Sequence, residues 1–231
     1  MQIRKESGFK MKKWIVIVGS LILGLGSWCW LGNNHQVAAA SQWYLKVVNV
    51  NHHLSATDTP KLTTVDNNQQ LDARVVKSYY KMTAAAKKAG ATLVAGSGYR
   101  SYEHQKEVLA RNIQERENQG MSYKQAKKNA LKTVNAPGSS EHQTGLAMDF
   151  LTPGEAQSNS DVTQKFAKTA QGKWLAKNSW KYGWILRYPK HEKHVTHIDY
   201  ESWHFRYVGK KAASYIYHHH ITLEQYVASK R

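Results

Sequence analysis

Four residues in two short segments carry the chemistry of this chain. His142 and Asp149 lie in Ser140-Glu-His-Gln-Thr-Gly-Leu-Ala-Met-Asp149. Glu201 and His204 lie in Glu201-Ser-Trp-His204. Two imidazoles and a carboxylate with no cysteine among them suit a catalytic zinc better than a thiolate-rich structural one. A second carboxylate left off the metal is a stronger base than one bound to it, and can take a proton from water that zinc has acidified to a pKa of about 7. Singly, each residue has an ordinary explanation: Asp149 as half of a salt bridge, His142 as a satisfied loop histidine. The combination points to hydrolysis.

These residues need elements to hold them. Asp149 falls in the apolar strand expected over Leu146–Leu151, where an unpartnered charge is costly and a metal is a good partner. Gly145 allows a sharp reversal that returns His142 toward that strand. Trp203 is expected to wall the pocket beside His204. Upstream, Leu71, Val75, Val76, Tyr79, Met82 and Ala86 recur at helical spacing, predicting a helix over Leu71–Lys88 that stops at Gly90. Further helices are expected at Glu103–Asn118, Tyr123–Lys132 with Ser122 as cap, Val162–Thr169, Lys173–Lys181, Lys210–Tyr217 and Leu223–Ser229. Other strands are expected at Tyr44–Val50, Thr92–Ala95, Trp184–Tyr188, Thr196–Tyr200 and Trp203–Val208. Helices first, then strands with short connections, indicate an α+β fold with a small, largely antiparallel central sheet flanked by helices.

Composition bounds the setting. The 231 residues carry 33 Lys and Arg against 16 Asp and Glu, a net charge of +17. Five of the bases and one acid lie in the first forty residues, so the remainder keeps +13. Such a surface favours a polyanion, whether nucleic acid, anionic lipid or an acidic polymer of the cell wall, and charge alone does not choose among them. No nucleic-acid recognition motif is present. A basic stretch, the apolar run Trp14–Leu31 and the small residues Val37–Ala40 have the three parts of a secretory signal. Residues 1–40 are therefore expected to be a signal peptide or an N-terminal membrane anchor, and residues 41–231 an extracellular catalytic domain, secreted or anchored. Membrane contact is expected only through that first segment. Cys29, the one cysteine, follows Trp28 rather than the small residue that lipid attachment requires, so the exported domain has no disulfide. No heptad pattern is visible, and a monomer is expected. His218-His-His220 reads as a solvated turn.

Ser140-x-His-x-x-Gly-x-Ala-x-Asp149 followed by Glu201-x-Trp-His204 resembles the VanY-type D-alanyl-D-alanine carboxypeptidases, within the wider group of lysostaphin-like and Hedgehog-like zinc folds. Ser97-Gly-Tyr-Arg-Ser-Tyr-Glu-His-Gln105, Leu186-Arg-Tyr-Pro189 and Trp203-His-Phe-Arg-Tyr-Val-Gly209 extend the likeness in the same order, over about Tyr44 to Tyr217. The resemblance implies a Hedgehog/D,D-peptidase-like fold, with zinc on His142, Asp149 and His204. It implies Glu201 as general base and Arg100 as stabiliser of the oxyanion. Gln105, Ser140, Tyr188 and Trp203 would contact a peptidoglycan stem peptide, whose terminal D-alanine is removed. An L,D-carboxypeptidase, a D,D-dipeptidase, a cross-link endopeptidase and a non-catalytic wall-binding module are the alternatives. The chain departs from the family pattern at Thr196-His-Ile-Asp199 and at Ser202, where proline is common. On a strand His197, Asp199 and Glu201 would share one face, so His197 or Asp199 could tune the pocket.

Overall fold

The structure, a computed structural model, describes residues 43–158 and 163–230. The expected export segment, with Cys29 and Val37–Ala40, lies outside these residues, as does the first residue of the helix expected over Val162–Thr169. No helix among the described residues is long and apolar enough to cross a membrane.

The first described residues form a 3-10 turn, Trp43–Leu45, followed by a short hairpin of β1 (Leu62–Thr64) and β2 (Gln70–Asp72). Helix α1 (Val76–Lys88) leads into β3 (Val94–Ser97), and α2 (Tyr102–Asn118) and α3 (Tyr123–Ala130) form a helical pair. A 3-10 turn, Glu141–Thr144, precedes β4 (Ala147–Leu151) and the short α4 (Pro153–Gln157). After α5 (Ala170–Asn178) come β5 (Trp184–Leu186), the helical turn α6 (Lys193–Thr196), β6 (His204–Tyr207), α7 (Lys210–His219) and α8 (Leu223–Ala228).

The central sheet has the order β3-β4-β6-β5 and is antiparallel throughout. Its alternating side chains divide labour between two faces. Ala95, Met148, Phe150, Trp184 and Phe205 are buried in one cluster with Tyr79 and Met82 of α1 and Leu175 of α5. Burial of each large side chain there contributes about 1.5–3 kcal/mol. Ile185 packs with Val208, Ala213 and Ile216 and with Leu223 of α8 in a second cluster. The intervening residues Asp149, His204 and Arg206 share the face away from Met148 and Phe205. The register sets Asp149 beside His204 on one side and Ser97 on the other.

Several expectations shift. The helix expected from Leu71 begins at Val76, because Gln70–Asp72 pairs with Leu62–Thr64 and Asp72 binds the backbone and guanidinium of Arg74. Tyr44–Val50 is not a strand; the carbonyls of Tyr44 and Lys46 accept from the Arg206 guanidinium instead of from a neighbouring strand. Thr196–Tyr200 is not a strand either. The turn α6 ends at His197 in the left-handed region (φ 64°), and the next residues run irregularly, with the Asp199 amide on the Lys132 carbonyl. The segment 164–168 is a 3-10 turn. The histidine triplet ends α7 rather than forming a separate turn, with His218 against Trp180 and His219 stacked on Tyr215. The capping box at Ser122 begins α3 as expected.

Gly145 makes the reversal that Asp149 and His142 require. Its φ is +66°, and a Cβ there would lie 2.8 Å from the Asp72 amide nitrogen. Gly145→Ala is therefore expected to cost about 1–3 kcal/mol, read as a lowered midpoint in denaturant unfolding. An unchanged midpoint would contradict the close approach.

Candidate active site

The sheet register brings Asp149 and His204 side by side, and the 3-10 turn lays His142 over them. His204 Nδ1 lies 2.8 Å from Asp149 Oδ1, and His142 Nε2 lies 3.2 Å from Asp149 Oδ2. The two rings meet edge to face at 4.9 Å. All three residues are buried, and one ligand atom from each falls within 4.8 Å of the others.

The hydrogen bonds around the rings indicate what the cluster holds. His142 Nδ1 donates to the Gly98 carbonyl at 2.7 Å. Burial, with Arg100 nearby, holds the His142 pKa down at about 4, so the ring is neutral. Its Nε2 lone pair then faces a carboxylate oxygen at 3.2 Å, two acceptors opposed with no proton between them. A cation placed between them resolves the opposition. At His204, burial disfavours the charged ring, but Asp149 outweighs it and raises the pKa to about 9. A proton on Nδ1 thus occupies the position that a metal would take. Burial raises the Asp149 pKa and the two imidazoles lower it, with a net fall. Two nitrogens and one oxygen, buried and without thiolate, fit a three-ligand zinc site.

Two further groups border the cluster. Glu201 is buried, with Oε2 3.8 Å from His204 Nδ1, and its amide is tied to the Tyr188 carbonyl. Burial raises its pKa to about 8, opposed by His204 and Arg100 and assisted by Asp149 and Asp199. Its carboxylate accepts no conventional hydrogen bond from the described residues. Arg100 reaches to 3.9 Å from Asp149 Oδ2, and its amide donates to the His142 carbonyl. Burial lowers its pKa while Asp149 and Glu201 oppose that fall, and a guanidinium stays charged at neutral pH. Its Nε is buried and has no partner among the described residues.

The remaining expected contacts lie at varied distances from this centre. The Tyr188 ring is 4.8 Å from that of His204, and its hydroxyl accepts from Asn135. Gln105 gives its amide N–H to the Asn135 carbonyl at 2.7 Å, leaving a buried, unpartnered carbonyl oxygen. Ser140 is buried as the residue before the 3-10 turn. Trp203 packs its partly buried indole against the main hydrophobic cluster. His197 is exposed and bonds Asn51, and Asp199 pairs with Lys193. The charge of Asp199 helps to raise the Glu201 pKa.

One buried residue beside the ligands is absent from the sequence reading. Glu141, fully buried, lies between Arg187 Nε at 2.7 Å and Arg206 Nη1 at 2.6 Å. Burial raises its pKa, but the two cations hold it well below the usual carboxylate range. Its one sequence signal is an acid directly before a candidate ligand, in Ser140-Glu-His142.

A sequence profile of the VanY family, described as D-alanyl-D-alanine carboxypeptidase, matches residues 68–210. YodJ of Bacillus subtilis strain 168, a candidate carboxypeptidase, is 40% identical over 193 residues, which cover 79% of this chain and 66% of YodJ. The chain thus spans about two thirds of that relative's length. A crystal structure of the D,D-pentapeptidase VanY from a VanB-type resistance cassette, a glutamate-to-alanine variant with Zn(II), superimposes with a TM-score of 0.72. The match is 34% identical and covers 80% of this chain and 99% of that one. The LD-carboxypeptidase LdcB superimposes with a TM-score of 0.67 at 35% identity, covering 79% of this chain and 84% of that one. The VanY neighbour holds Zn(II), and the donor set of His142, Asp149 and His204 is one that could hold the same ion.

Metal-stripped protein is expected to rebind one zinc per chain. Asp149→Asn, which removes the ligand charge, should weaken zinc binding beyond the about 10–100-fold that loss of an outer partner costs. Competition with a chromophoric chelator reads this directly. Unchanged affinity in Asp149→Asn would place the zinc elsewhere.

Proposed function

The chain belongs to the VanY family of D-alanyl-D-alanine carboxypeptidases, and from that premise we propose that it hydrolyses the terminal D-alanine from peptidoglycan stem peptides. The observation that carries the reading is the pair Glu201 and Arg100 beside the ligand cluster, one with an uncommitted carboxylate and the other with an uncommitted N–H.

His142, Asp149 and His204 would hold the zinc, which supplies Lewis-acid charge to acidify water and polarise a carbonyl. Glu201 takes the proton of the attacking water. Its burial and raised proton affinity suit a group that must hold that proton and then pass it on near neutral pH. Negative charge develops on the carbonyl oxygen as the tetrahedral species forms. The fixed cation and free Nε–H of Arg100 stabilise it in a site where few waters compete. Collapse breaks the peptide C–N bond, and Glu201 delivers its proton to the leaving amine of D-alanine. Tyr188, with its hydroxyl proton, and the Gln105 carbonyl, with its open acceptor, would orient the stem peptide, together with the Ser140 hydroxyl.

The same proposal sets the enzyme outside the membrane at the wall, on the strength of the Trp14–Leu31 and Val37–Ala40 segments. Exposed Lys165, Lys168, Lys173, Lys177 and Lys181, without ion pairs among the described residues, support contact with an anionic wall polymer. An L,D-carboxypeptidase is the second reading, favoured by the similarity to LdcB.

Digestion of muropeptides by the zinc-loaded protein separates these readings. Loss of one alanine from pentapeptide stems is expected; loss only from tetrapeptide stems would favour the L,D activity. No product from either, with zinc bound, would overturn the enzyme assignment. Glu201→Ala should abolish turnover and keep zinc, and loss of both would make Glu201 a ligand. Arg100→Lys should lower kcat by about 10²–10³-fold at unchanged zinc content.

A further inference from the structure

The two ligand imidazoles differ in what holds their second nitrogen. His142 Nδ1 has a backbone carbonyl at 2.7 Å, which leaves Nε2 for the metal. His204 presents Nδ1 to Asp149 and to Glu201, so its outer nitrogen is Nε2. That Nε2 is buried and has no hydrogen-bond partner among the described residues. Glu141 Oε2 is also buried and without a hydrogen-bond partner among the described residues, and the two atoms are 3.7 Å apart. A shift of about half an ångström brings them within hydrogen-bond reach. Glu141 is not itself placed to ligate, because it meets the opposite nitrogen of the His204 ring from Asp149.

The carboxylate is held in place from behind. Oε1 of Glu141 takes both Arg187 Nε and Arg206 Nη1. Arg187 gives its two terminal nitrogens to Glu224 of α8, at 2.9 and 2.6 Å. Arg206 gives Nη2 to the carbonyls of Tyr44 and Lys46. Glu224 also accepts from Asn49. Two acids and two bases balance, and after all these bonds Oε2 of Glu141 is the acceptor left over.

We propose that Glu141 is a positioning residue for the zinc, accepting a hydrogen bond from His204 Nε2–H and so fixing the tautomer that presents the Nδ1 lone pair to the metal. This rests on the zinc-peptidase reading for the identity of the ion, but concerns only how the ligand is aimed. Partners of this kind orient metal-bound imidazoles and raise their basicity, and their loss costs about 10–100-fold in metal affinity. The Arg187–Glu224 pair extends the support to the C-terminal helix, so α8 is coupled to the zinc ligand through three side chains.

Glu141→Gln tests the assignment. The two arginines keep the amide oxygen, which turns the amide NH2 toward His204. A donor then faces Nε2, which favours the opposite tautomer, with its proton on Nδ1. Zinc affinity, from chelator competition, should fall about 10–100-fold, while Glu141→Asp, which retains the charge, should restore part of it. In zinc-loaded full-length protein with ¹⁵N-labelled histidine, long-range ¹H–¹⁵N correlations should show His204 protonated at Nε2 and metal-bound at Nδ1. A purely structural role would lower the melting temperature of Glu141→Gln and leave its zinc affinity and His204 tautomer as in the wild type, which overturns the proposal. Zinc on Nε2 of His204 in the wild-type protein overturns it even where the variants fail to fold. Zinc binding with the expected tautomer but no peptide hydrolysis would contradict the functional reading and leave this one standing.

Discussion

Glu141, a carboxylate sealed between two buried guanidiniums, is the constraint on which this structure turns. It belongs to the loop that carries His142, while Arg187 follows β5 and Arg206 lies in β6 beside His204. Arg187 continues to Glu224 in α8, and Arg206 to the backbone near Trp43. One ionic network therefore joins the metal loop, the sheet, the C-terminal helix and the first described residues. Its charges balance internally, which is what makes burial tolerable. Removing one member leaves an uncompensated buried ion, a cost of about 3–5 kcal/mol. Such a network is poor evidence of net stability, but it defines where the loop must sit.

The sheet supplies the second condition. Alternation along β4 and β6 sends Met148, Phe150 and Phe205 into the hydrophobic cluster and leaves Asp149 and His204 for the other face. A slip of one residue between the strands would exchange those faces. The apolar packing of one side therefore fixes the spacing of the ligands on the other. Gly98 contributes by close approach: a Cβ there would lie 2.4 Å from the Gln70 carbonyl, and its own carbonyl orients His142.

Much of this was legible in the residues. The apolar strand around Asp149, the reversal at Gly145 and the Ser122 cap follow from local pattern, and the helices over 102–118 and 123–130 appear close to their expected bounds. The candidate ligands His142, Asp149 and His204 stood out as a combination and through the family resemblance, since singly each had an ordinary explanation. Expectation failed where a long-range partner took the backbone. The strand expected over Tyr44–Val50 gave way to carbonyls claimed by Arg206, from a residue 160 positions or more away. The strand expected over Thr196–Tyr200 gave way to a helical turn and to a bond from the Asp199 amide to the Lys132 carbonyl. Glu141 was hidden for the same reason: its meaning lies in two arginines distant in sequence. An acid beside a candidate ligand carries no periodicity that would mark it as buried.

The central claim is that the sheet register and the Glu141-held loop build a three-ligand zinc site that leaves Glu201 free for proton transfer. A crystal structure of the zinc-loaded wild-type chain, with anomalous differences collected across the zinc edge, tests it most directly. The account predicts a single peak bounded by His142, Asp149 and His204, with the Glu201 carboxylate outside the coordination shell. A peak coordinated by Glu201 or Glu141, or one at the His218–His220 helix end with this cluster empty, would contradict it.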